Sequence, residues 1–167
     1  MSHYALPFGL KETFMTLDEL EHTLPNGLHD AELLQINVDY TQRKLTLTLD
    51  VWVGDLDGPV GEREAYRKAR IEIVGLLFFV IEPPDPNYPY GDSEPSRTDL
   101  CDMSKNLDER LLKALPGGSF LTSLWVNKWN AFAHIAAAAA DLIWEDNAPS
   151  YRTRREHYLP GEMIDTQ

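Results

Sequence analysis

At 167 residues, with 43% apolar and 25% charged side chains, the chain is long enough to bury a core without disulfides or metals as staples, which leads to the expectation of one globular domain over residues 1–167. A net charge of −12, from 27 acidic against 15 basic residues, argues against direct nucleic-acid binding, which needs cations to neutralise phosphates. Cys101 stands alone, and the longest apolar run, residues 74–81, is far short of the roughly 20 residues of a membrane helix, so no intrachain disulfide and no membrane span are expected.

Residues 2–15 read as an arm or a short edge strand. Thr16, with Glu19 three positions on, has the spacing of a capping box and predicts a helix of one or two turns, stopped at Pro25-Asn26-Gly27. A β-hairpin follows. Leu34, Ile36, Val38 and Tyr40 alternate on even positions, and Leu45, Leu47, Leu49, Val51 and Val53 on odd ones, the period of half-buried strands. A loop over Thr41 to Lys44 would set Tyr40 opposite Leu45, Val38 opposite Leu47, Ile36 opposite Leu49 and Leu34 opposite Val51. A slip by one residue would turn one apolar set to water.

The same register places His29, Asp30, Asp55 and Asp57 around the open mouth of the hairpin. Imidazole with carboxylates is a competent ligand set for a divalent cation. The plainer alternative has His29 or Asp30 bonding to loop backbone, with Gly54-Asp-Leu-Asp-Gly58 forming a turn. That turn is not an EF-hand loop, because Pro59 occupies the fifth position.

Residues 62–68 fit either a short helix or the early start of a strand. From Ile73 to Ile81 both parities are apolar, which predicts a core strand buried on both faces, broken at Gly75. A proline-rich, acidic loop is expected at about 82–100, with Tyr88 and Tyr90 as candidate partner contacts. Cys101 has no neighbouring histidine that would mark a nucleophile. Residues 107–115 predict a short helix ended by Pro116-Gly117-Gly118, and 119–129 a strand. Phe132, Ile135, Ala136, Ala139, Leu142 and Ile143 fit a helical stripe, and the alanine run has the highest helix propensity, so periodicity predicts a helix near 131–143; Leu142-Ile143-Trp144 closing a strand is the alternative. His134 reads as a satisfied neighbour of Trp129 or Trp144. A tail from about 149 carries Arg152, Arg154 and Arg155, which would meet the acidic surface of the chain itself.

Gly27-Leu-His-Asp-Ala-Glu-Leu-Leu and the hairpin after it, residues 27–53, resemble the opening motif of small β-rich bacterial proteins of the polymorphic-toxin immunity type. The resemblance implies a sheet-rich domain, would place a strand where the alanine run reads as helix, and supplies no catalytic residues. The fold expected is mainly β (α+β), a single antiparallel sheet or sandwich with one or two helices. The expected function is a cytoplasmic protein-binding module with a basic protein partner and no cofactor, a toxin-neutralising protein being one form of it. Two alternatives stand beside it: a metal-dependent enzyme built on His29, Asp30, Asp55 and Asp57, and a structural oligomer subunit.

Overall fold

The computed structural model describes residues 15–88, 96–101 and 109–152. Thr16 caps the first helix as its spacing predicts: Glu19 N donates to Thr16 Oγ1 (3.1 Å) and Thr16 N to Glu19 Oε2 (2.8 Å), opening α1 (Leu17–Glu21). The alternating segments form strands β1 (Ala31–Asp39) and β2 (Lys44–Trp52), followed by β3 (Ala65–Val74), β4 (Phe78–Ile81) and β5 (Arg97–Cys101). Then come α2 (Glu109–Ala114), β6 (Phe120–Val126), β7 (Ala131–Ala137), β8 (Ala139–Trp144) and β9 (Ser150–Tyr151). The protein is mainly β. Among the described residues nine strands make one open antiparallel sheet in the order β4-β7-β6-β5-β1-β2-β3-β8, with β9 added beside β3. No helix among the described residues is long and apolar enough to cross a membrane.

The sheet is strongly wound, and the connections require it. In a flat sheet β7 and β8 would lie six strand spacings apart, about 29 Å, yet only Ala138 separates them in sequence. Gly75 to Leu77 likewise carries β3, near one end of the order, to β4 at the other. The two connections are one corner. Ala138 N donates to Val74 O (3.1 Å) and Leu77 N to Ala136 O (2.8 Å), so the paired ribbon β3/β8 bends into the paired ribbon β4/β7.

At this corner the two ribbon strands pass too closely for ordinary side chains. Gly75 has φ +66°, and a Cβ built on it would lie 2.7 Å from Ala138 Cβ. Ala136, Ala137, Ala139 and Ala140 are all buried around the bend. This corrects the helix expected near 131–143: the alanine run is β7, the bend and β8. Small side chains serve the tight corner, and tertiary packing overrides helix propensity.

Leu45, Leu47, Leu49 and Val51 of β2 and Ala69, Ile71 and Ile73 of β3 face the core with no exposure. The hairpin register differs from the expected one. Val38, not Tyr40, lies opposite Leu45, and Ile36 lies opposite Leu47. The turn is Tyr40 to Arg43, because Asp39 Oδ1 accepts Gln42 N (2.9 Å) and Arg43 adopts φ +53°. A shift of two leaves every side chain on its face, so Ile36 and Val38 still pack on the core. Leu34 does not. The register breaks between Leu33 and Gln35, and the extra residue, Leu34, is exposed. The strand expected to be buried on both faces is also corrected: Leu76 is buried, but β4 lies at the end of the sheet order with Val80 and Ile81 exposed.

Candidate functional site

β1 and β5 pair over two residues, Ala31 with Thr98 and Glu32 with Arg97, and this short ladder builds the mouth of the hairpin. Immediately before it, Asp30 turns the chain at φ +56°, a left-handed conformation that aspartate tolerates better than most residues. His29 and Asp30 are thereby presented to β5 and not to the Gly54–Gly58 turn. One carboxylate stands on each ring nitrogen of His29: Asp99 Oδ2 is 3.4 Å from Nδ1, and Asp30 Oδ2 is 3.6 Å from Nε2. Arg97 Nη1 reaches Asp30 Oδ1 at 3.9 Å.

These groups line a cavity of about 210 Å³ together with Tyr88, Trp125 and Asn127. Asp99 and Trp125 are partners in the β5/β6 ladder, so their side chains share a face. Asn127 Oδ1 accepts Arg97 N (2.8 Å) and holds the start of β5 in place. Asp85 brings Tyr88 near: its backbone N donates to Trp129 O (3.0 Å), and its carbonyl accepts Tyr88 N (3.2 Å). The mouth is acidic beyond these residues. Burial pushes the Glu21 carboxyl above its ordinary value, and the charges of Asp99 and Asp18 push it the same way, against the Leu28 N–H that it accepts at 3.1 Å.

Of the residues singled out from the sequence, the structure brings His29, Asp30 and Tyr88 to one cavity. Asp55 and Asp57 are engaged with their own turn, where Asp55 Oδ1 accepts Asp57 N (3.0 Å) and Asp55 O accepts Gly58 N (3.0 Å). Among the described residues no group of three or more His, Cys, Asp and Glu side chains is disposed to hold a metal ion. Tyr90 lies outside the described residues. Asp99, Arg97, Trp125 and Asn127 were not found from the sequence: the first two fall inside the stretch read as loop to about residue 100, which in fact becomes β5 at Arg97.

A second polar group lies across β6 and β7. Ser123 Oγ is 2.7 Å from His134 Nδ1, and Glu82 Oε1 is 3.0 Å from His134 Nε2, so the histidine partners are these and not a tryptophan. The order resembles a Ser-His-acid triad. It lacks the access of one, since Ser123 is 1% exposed and His134 2%. With Nε2–H donating to the carboxylate, Nδ1 accepts the Ser123 hydroxyl, a closed network that joins the two strands. Glu82 Oε2 also accepts Phe132 N (3.0 Å), extending the β4/β7 pairing.

Beneath the mouth, Arg152 bonds Glu32 Oε2 (2.7 Å) and Asp50 Oδ2, and its guanidinium lies 4.5 Å from the Tyr66 ring centre. The arginine of the tail thus meets the acidic surface of the chain; Arg154 and Arg155 lie outside the described residues. Burial, and then the neighbouring Glu64, push the Tyr66 phenol far above its ordinary value.

Compared with protein-family models, with curated proteins and with solved structures, the chain finds no match in any of the three.

Proposed function

We propose that the chain is a protein-binding module whose mouth cavity receives a basic side chain of its partner. The observation that carries this reading is the pairing of two carboxylates, Asp30 and Asp99, with two aromatic residues, Trp125 and Tyr88, around one small cavity. Carboxylates give an incoming guanidinium or ammonium charge-assisted hydrogen bonds, and aromatic faces attract the same cation. His29, whose side chain is 61% exposed, is the movable member: a partner's cation would replace it between the two carboxylates. A net charge of −12 steers a basic protein toward this face. Neutralisation of a basic toxin in a bacterial cytoplasm is one form of this function, and the resemblance of residues 27–53 favours it.

The test is capture of a basic protein from extract of the source cell by the immobilised chain, repeated with Asp99→Asn and Asp30→Asn. The parent should retain the partner at low salt and release it as salt rises. Asp99→Asn should weaken retention about tenfold, the equivalent of about 1.4 kcal/mol. A partner retained by both variants as strongly as by the parent, or no basic protein retained, would sink the reading.

A further inference from the structure

The winding of the sheet leaves one seam. Among the described residues β4 ends the strand order and pairs only with β7, while β1 pairs with β5 only at Ala31 and Glu32 and runs on to Asp39 with β2 alone beside it. Between the two strands is a cavity of about 440 Å³. Leu33, Ile36 and Val38 of β1 and Phe79 and Ile81 of β4 line it. Elsewhere the core-facing side chains of β2 and β3 are fully buried; these five are half-buried or exposed, so the apolar interior opens to solvent along this line.

The two ends of the seam differ. At one end the hairpin turn is tied to the corner, Leu76 N donating to Arg43 O (2.8 Å) and Arg43 Nε to Leu76 O (3.0 Å). At the other, Ser96, Lys128 and Trp129 line the cavity, as Leu34 and Gln35 of β1 also do, and the Arg97 N–H bond to Asn127 Oδ1 keeps the segments of Ser96 and Lys128 together. Ser96 Oγ is buried with no hydrogen-bond partner among the described residues. Lys128 has no ion-pair or hydrogen-bond partner among the described residues, in a chain where Lys44, Arg67, Arg70 and Arg152 each sit on a carboxylate. A buried hydroxyl and an unpaired cation at the mouth of an apolar cleft are complementary to an anionic head on an apolar tail. A single ammonium with a single hydroxyl matches the one charge of a carboxylate better than the two of a phosphate monoester.

We propose that the seam between β1 and β4 binds an aliphatic monocarboxylate, its chain lying along Ile36, Val38 and Phe79 and its carboxylate on Lys128 and Ser96 Oγ. The tail points to the end closed by Arg43 and Leu76. The cavity volume falls in the range of small-molecule sites, roughly 300–1,000 Å³, and its composition, mostly apolar with a few convergent polar groups, is typical of them. This site is separate from the mouth cavity and stands whether or not the mouth binds a protein.

The experiment is titration of the full chain with decanoate below its micellar concentration, followed by calorimetry and by backbone amide NMR shifts. One saturable site is expected, with shifts at residues 33–38 and 78–81. Decanol should bind about tenfold more weakly, and Lys128→Met should weaken decanoate about tenfold while leaving decanol unchanged. Lys128 sits in a surface turn after β6, so this variant tests the head group without disturbing the core. Ile36→Trp, which fills the cavity, should abolish binding of both. Non-saturable binding, equal affinity for decanoate and decanol, an unaffected Lys128→Met, or shifts centred elsewhere would each overturn the proposal.

Discussion

Replacing Gly75 by alanine tests the corner on which the winding depends. Two penalties are expected, and they are separable. An alanine held at φ +66° pays the left-handed penalty, about 1–2 kcal/mol. Its Cβ would also stand 2.7 Å from Ala138 Cβ, well inside the roughly 3.5–4.0 Å at which carbon atoms attract, and overpacking of this kind costs about 1–3 kcal/mol. Together they should lower stability by about 2–5 kcal/mol, a large share of the roughly 5–15 kcal/mol of a typical domain. Urea unfolding followed by tryptophan fluorescence reads the change as a lower midpoint at constant slope. Adding Ala138→Gly removes the contact and keeps the dihedral penalty, so the double variant should be less destabilised than the sum of the singles by about 1–2 kcal/mol. A Gly75→Ala midpoint within about 0.5 kcal/mol of the parent, or strict additivity in the cycle, would refute the tight-corner account.

Glu21→Gln keeps the acceptor for Leu28 N–H and removes a charge that burial disfavours. A carboxyl whose folded pKa is raised above 4.5 holds its proton more tightly in the folded state, so it lowers stability as pH rises through that folded pKa. The variant should therefore be more stable than the parent at neutral pH, with the advantage shrinking as pH falls toward 4.5; an advantage independent of pH would contradict the assignment. Arg152→Ala removes the cation bonded to Glu32 Oε2, a residue 6% exposed, and to Asp50 Oδ2, and uncovers the Tyr66 ring. Since the arginine side chain is itself 29% exposed, the loss should be about 2–3 kcal/mol in denaturant melts, short of the full figure for a buried pair. Ser123→Ala leaves buried His134 Nδ1 without its hydroxyl and should cost about 1–3 kcal/mol. A fluorophosphonate probe should leave the folded parent unlabelled, and labelling at Ser123 would show an access route absent from the structure.

Parity, capping and chain breaks were legible in the sequence because each is a local property. The alternation in β2 names Leu45, Leu47, Leu49 and Val51 as buried but misses Trp52, the Thr16/Glu19 spacing yields both bonds of the capping box, and Gly75 ends β3. Register was not legible in the same way, because a displacement of two residues preserves every inside and outside assignment. Only Asp39, whose carboxylate fixes the turn, distinguishes the two registers, and its side-chain bond to Gln42 N carries little weight in a hydrophobic pattern. The alanine run misled for a different reason: the need for small side chains arises from Gly75, more than 60 residues earlier in the chain. Of the candidate site, His29, Asp30 and Tyr88 were visible, while Asp99 was hidden in a stretch whose prolines mask the start of β5.

The displacement of two and the bulge together determine what the mouth contains. In the expected register the first residues of β1 look across to the Gly54–Gly58 turn; in the observed one β2 pairs no further than Glu32 with Asp50, and Asn26 Nδ2 bonds Trp52 O (3.3 Å) and Gly54 O (2.8 Å), closing that side. His29 and Asp30 are left facing β5. The ladder to β5 then stops after Leu33 N donates to Ser96 O (2.7 Å), the position at which the extra residue Leu34 turns β1 away. One irregularity thus ends the acidic mouth on one side and begins the apolar seam on the other. Deleting Leu34 would make the pairing with β2 continuous and keep Leu33 opposite Leu49 and Glu32 opposite Asp50, each on its present face, while removing the extra residue at which β1 parts from β5. The bulge is therefore the feature through which a change near one cavity would reach the other.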